Sequence, residues 1–229
     1  MVKRRGLYGM NILKEQGKGW NYFIYAMLAF AGLGIEALLA FLIEPFIYGC
    51  QMNEWSVIQN ISHWVITCIC WGLICFLLIK NAKTKYGFDI FRRQTKMKFW
   101  QWCAVAVIFV IMLVDSYIDW NGSKVLKELH YNGWLKFIFQ YIYYVFETGL
   151  VLLIIVFGQK AFEKWFHNDS RVLIPYGGIL TGLTWGLVHI LTKGSFTMWI
   201  SGIVYGITYL LVNRDVKKAY IWILLMFVL

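Results

Sequence analysis

The chain has 229 residues, 60% of them hydrophobic and only 15% charged, and its mean hydropathy is +0.60. A water-soluble domain is about 45–50% apolar and about 25% charged, and one soluble core of this size could not bury the excess, so lipid is the solvent for most of the chain. The formal charge of +10 does not mark a nucleic-acid binder, because the basic residues sit in short clusters between apolar runs rather than along one face; membrane lipids are expected partners and nucleic acid is not.

In chain order, the basic stretch over residues 1–20 lacks a short apolar region followed by a small-residue cleavage site, so the first apolar run is expected to stay as an anchor. A bilayer core takes about 20 apolar residues per helix. Runs of that kind predict spans at 21–48, 56–80, 98–118, 135–158, 172–192, 196–213 and 217–229, the last at the lower limit for crossing. Only Pro45 and Pro175 interrupt a chain otherwise suited to long helices. The expected fold is an all-α polytopic transmembrane bundle of about seven spans, with residues 1–229 as one membrane domain.

Lysine and arginine orient the bundle. Five precede the first span (Lys3, Arg4, Arg5, Lys14, Lys18), and seven follow the second (Lys80, Lys83, Lys85, Arg92, Arg93, Lys96, Lys98). Three follow the fourth (Lys160, Lys164, Arg171) and three the sixth (Arg214, Lys217, Lys218). The alternate side holds Lys124, Lys127, Lys136 and Lys193, so eighteen of the 22 fall on one side. Positive loops are retained in the cytoplasm, which places the N-terminus there and, with seven spans, the C-terminus outside.

Trp20, Tyr22, Trp55, Trp100, Trp102, Trp120, Trp134 and Trp165 fall where spans should meet headgroups and read as interfacial anchors. Gln159 to His167, QKAFEKWFH, reads as an amphipathic continuation of the fourth helix along the membrane surface. Cys50, Cys68, Cys70, Cys75 and Cys103 show no CxxC or metal-ligand spacing and behave as small apolar residues. Gly178, Gly182 and Gly186 repeat every four residues, as do Gly202 and Gly206. Such faces let helix backbones approach closely in lipid, which makes the fifth and sixth helices expected neighbours; Gly32 and Gly34 give a weaker hint in the first.

A charge in hydrocarbon costs at least about 2.5–3.5 kcal/mol, so ionisable groups at depth call for a reason. Glu36, Glu44, Glu147 and His189 stand out. Glu147 lies in the fourth span and His189 near the far end of the antiparallel fifth, so they can meet in the outer half of the bilayer, where Glu44 and His63 are also placed. A shielded carboxylate and imidazole can activate water. Two histidines and a carboxylate can instead hold a divalent metal such as zinc with one position open. A third reading is interhelical glue, with a neutral Glu147 bonded to His189, Tyr143 or Tyr144. Glu36 and Glu44 read as structural. Asp115 and Asp119 fall at the outer end of the third span, where solvation is cheap, and nothing catalytic is read there.

The order of elements in residues 135–229 resembles the CPBP family of CAAX-protease and bacteriocin-processing membrane proteins. Trp185-Gly186-Leu187-Val188-His189 resembles its Phe-xxx-His motif with Trp for Phe, and Phe196 with the Gly202 to Gly206 run resembles its glycine helix. Glu147 resembles the first motif, Glu-Glu-xxx-Arg, although Phe146 and Thr148 flank it and Val151 or Leu152 stands at the Arg position. The last helix has no His and no Asn. The resemblance implies an intramembrane endopeptidase in a bacterial cell membrane, acting on peptides or precursor proteins, with Glu147 activating water and His189 orienting it, with or without a metal. The alternative is a catalytically degenerate scaffold or chaperone that binds a partner protein, in which Trp185 and the glycines only pack.

Overall fold

The computed structural model describes residues 17–166, 173–194 and 197–229. Lys3, Arg4, Arg5, Lys14, His167, Arg171 and Phe196 lie outside the described residues. Among those described, helix is the regular structure and there is no strand. Four helices are long and apolar enough to cross a membrane: α1 (Gly19–Tyr48), α2 (Val57–Tyr86), α3 (Phe99–Asp119) and α4 (Lys124–Trp165). Three shorter helical stretches follow, α5 over 176–193, α6 (Thr197–Leu211) and α7 (Val216–Val228). At about 1.5 Å per residue, the 15 residues of α6 and 13 of α7 reach about 20 Å, short of a hydrocarbon core of about 30 Å.

Local sequence explains the helix ends. Ser56 caps α2 in a box with Gln59, each side chain reaching the other's backbone N–H, and Gly87 closes the helix in the left-handed conformation at φ 65°. Ser123 and Asp215 accept from the first turns of α4 and α7. Within α4, Gly133 at φ 68° and ψ 167° breaks the helical path, so a short helix precedes the long one. The structure therefore starts α4 eleven residues before the apolar run at 135, because hydrophobic counting detects lipid contact and not helix.

α4 is the axis of the bundle. Its residues 150–157 are all buried, the pattern of a helix enclosed on every side. α1 runs antiparallel to it on the small residues Ala26, Ala29 and Gly32, with Tyr25 against Phe157 at 5.2 Å and Gly19 tight against Ala161 and Trp165. The Trp71 indole of α2 donates to the Gly32 carbonyl at 2.8 Å, so Gly32 serves the α1–α2 approach. On α5, Gly178 sits against Gly206, and Gly182 against Gly202 and the Trp199 backbone, while Gly186 meets the Met198 and Trp199 backbone. α5 and α6 touch backbone to backbone. The outward faces stay apolar and exposed, Phe46 at 91% and Phe99 at 82%, as lipid contact requires.

The helix ends segregate by charge. Gly19 meets Trp165, Tyr22 packs on Tyr86 and Phe88, Asn213 donates to the carbonyls of Thr95 and Lys96, and Arg214 pairs with Glu163 at 2.8 Å. These contacts gather the described basic segments at one end. The continuation of α4 differs from the surface helix read in the sequence: Gln159, Ala161 and Glu163 are buried, and Gln159 accepts from the Gly177 N–H at 3.0 Å while donating to the Ile174 carbonyl at 3.1 Å. Its polar residues face protein partners, which periodicity alone does not distinguish from water.

Candidate functional site

Toward the end opposite the basic one, α3, α4, α5, α6 and α7 enclose a cavity of about 400 Å³. Its lining runs from the helix-end residues Asp119, Trp120, Lys124 and Gly194 to Glu147, Trp185 and His189, with Ser201 and Tyr205 on the α6 wall. The two residues expected to meet thus border one space.

Trp185 joins them. Its indole Nε1–H donates to Glu147 Oε1 at 3.0 Å, and its backbone carbonyl lies 3.0 Å from His189 Nδ1. A carbonyl only accepts, so Nδ1 carries the proton in that bond and the neutral ring has its lone pair on Nε2. The His189 ring packs on the Trp185 ring at 4.4 Å between centroids. Glu147 is buried and Trp185 is 3% exposed, held between Tyr205 and Phe227. The local backbone contributes: residues 182–186 of α5 form a π-helical turn, whose extra residue turns Trp185 and His189 relative to the preceding glycines. Thr148 donates to the Tyr144 carbonyl at 2.8 Å, and Tyr144 sends its hydroxyl to Glu128 at 2.7 Å.

Asp115 and Asp119 also line the cavity, four residues apart on one face of α3, with Lys124 across from them. The Lys124 ammonium donates to the Phe227 carbonyl at 2.5 Å and lies 5.0 Å from the Tyr144 ring centre. The i, i+4 spacing of the two aspartates was the available signal for a shared polar face.

The other expected groups form a separate cluster. Glu44 Oε2 and His63 Nδ1 are 2.6 Å apart and both side chains are buried, while Glu36 lies 4.0 Å from His63 Nε2. The π-helical turn Leu39–Ile43 precedes Glu44 and aims it at α2. Among the described residues Glu44 Oε1 and His63 Nε2 have no hydrogen-bond partner. His63 is not among the residues bordering the cavity. The two imidazoles are therefore used apart, and among the described residues no three His, Cys, Asp or Glu side chains converge to hold a metal ion. A zinc centre needs three protein ligands or more, so this donor set does not fit one.

No family model, curated protein or solved structure matches the chain.

Proposed function

We propose that the chain is an integral membrane protein of about seven apolar helices with its N-terminus in the cytoplasm, a divergent relative of the CPBP proteins that cleaves a peptide bond in the cavity. The gathering of the described basic segments at one end supports the orientation, since positive loops are favoured for retention in the cytoplasm. The observation that carries the chemistry is that Glu147 and His189 border one cavity with Trp185 bonded to both.

In this reading Glu147 takes a proton from a water as the water oxygen attacks the scissile carbonyl carbon. The Trp185 N–H holds the carboxylate in place at the cavity wall. As the tetrahedral adduct collapses, the C–N bond breaks and the amine leaves with the proton taken by Glu147. The Nε2 of neutral His189 orients the water or the incoming peptide N–H. General base catalysis of this kind contributes about 10²–10⁴ in rate. The scaffold reading draws on a different observation, that among the described residues the cavity holds one imidazole and no three side chains converge as a metal donor set.

The test is cleavage of a peptide library by the protein reconstituted in liposomes, read by mass spectrometry. Glu147→Gln keeps the size of the side chain and an acceptor for Trp185, so it should fold and lose about 10²-fold or more in rate. Wild-type cleavage by the variant would refute the assignment of Glu147. An intact partner protein captured in equal amount by both forms, with no cleavage by either, would establish the scaffold.

A further inference from the structure

Two cavities at the basic end share a wall. The first is polar, about 430 Å³, and is bounded by loop residues 87–95, the last turns of α4 and the end of α6. Arg92, Arg93, Lys160 and Arg214 border it, together with the carboxylates Asp89 and Glu163. Both carboxylates are engaged, Asp89 by Lys83 at 2.7 Å and Glu163 by Arg214 at 2.8 Å. Among the described residues no carboxylate pairs with Arg92, Arg93 or Lys160, and Lys160 lies 5.8 Å from the Phe88 ring centre. The pocket thus keeps a positive surplus.

Arg214 is placed there by an uncommon backbone. Asn213 and Arg214 both adopt left-handed conformations, at φ 58° and 61°. For residues other than glycine this is unfavourable and needs surrounding support. Gln101 supplies it by donating to the Leu211 carbonyl and to Asn213 Oδ1, both at 2.7 Å, while Asn213 ties the turn to Thr95 and Lys96.

The second cavity is an apolar groove of about 380 Å³ bordered by Cys75 and Ile79 of α2, Gly149 and Leu152 of α4, and Tyr220 and Ile221 of α7. Ile90, buried, borders both spaces. We propose that the two together bind one acidic phospholipid, its phosphate among Arg92, Arg93 and Lys160 and an acyl chain in the groove. A free phosphate would use only the first space and a neutral lipid only the second. The charge and the adjoining hydrocarbon-shaped groove together select an anionic lipid, in the manner of basic pockets between membrane helices.

The experiment compares thermal unfolding and native mass spectra of delipidated protein after addition of phosphatidylglycerol, phosphatidylcholine or inorganic phosphate. Retention of one phosphatidylglycerol per chain, with a raised melting temperature not given by the other two, is expected. Arg92 and Arg93 are both exposed, so Arg92→Gln with Arg93→Gln should fold and bind phosphatidylglycerol about 25-fold more weakly, about fivefold for each cation lost. Equal binding of the two lipids, an undiminished preference in the double variant, or stabilisation by inorganic phosphate alone would each overturn the proposal.

Discussion

The contact between Gly178 and Gly206 sets a sharp limit on what α5 and α6 tolerate. A Cβ built on Gly206 lies against the Gly178 Cα and 2.6 Å from the Gly178 nitrogen. Both are backbone atoms and neither can swing aside. Ordinary contact begins at about 3.4 Å, so Gly206→Ala requires the helices to part by at least about 0.8 Å, the difference between 3.4 and 2.6 at the nitrogen, and by more at the nearer Cα. A gap of about 0.5–1 Å forfeits a quarter to a half of each dispersion contact, and in lipid no hydrophobic drive replaces them. Overpacking costs about 1–3 kcal/mol, offset in part by the better helix propensity of alanine, about 1 kcal/mol in water. We expect a net loss of about 1–2 kcal/mol, about 2–4 °C in melting temperature per kcal/mol for a chain of this size. Thermal unfolding in detergent, followed by reaction of the buried Cys68 with a fluorogenic maleimide, reads it directly. Gly149→Ala is the control, because its Cβ would meet only Cys75 Sγ at an ordinary 3.6 Å. If Gly206→Ala melted with the wild type and the control, backbone contact would not be what holds α5 to α6.

His63→Ala removes the partner of a buried carboxylate and should destabilise by about 3–5 kcal/mol in denaturant titration, with Glu44→Gln milder because it keeps an acceptor oxygen. Trp185→Phe deletes the N–H that Glu147 accepts in a buried setting and should cost about 1–3 kcal/mol by the same measurement. Partial burial raises the Asp215 carboxyl, but hydrogen bonds from the Lys218 side chain and backbone outweigh it and hold the net value below the ordinary 3.8. The contribution of this cap to α7 is therefore full above pH 3.8 and fades as pH falls through the lowered value. Asp215→Ala should cost about 1 kcal/mol at pH 7 and remove that part of the acid sensitivity, which melting curves across pH will show.

Helices were legible because lipid solvates them: apolar runs and basic clusters follow from the same bilayer, and α1 to α3 lie close to the runs that predicted them. The glycine spacing also carried, because close approach leaves few alternatives to a missing Cβ. Three features did not carry. The polar residues of the α4 continuation looked solvent-facing, since a sequence does not show that Gln159 will meet Gly177. Asp115 and Asp119 sat where water is near, and only the packing of α3 beside α6 and α7 turns them toward Glu147. The pairing of Glu44 with His63 depends on a turn of π-helix that hydrophobic periodicity does not register.

The two π turns, Leu39–Ile43 and Gly182–Gly186, each carry one residue more than an α-helix would use over the same path. Each is a reserve of chain length beside a polar group. Deleting Phe41 would let its turn relax to α geometry while Glu44 stays aimed at α2. The same deletion a turn earlier, where no slack exists, would swing every later side chain of α1 by about 100°. Among the described residues, single-residue deletions within helices thus have two tolerant addresses.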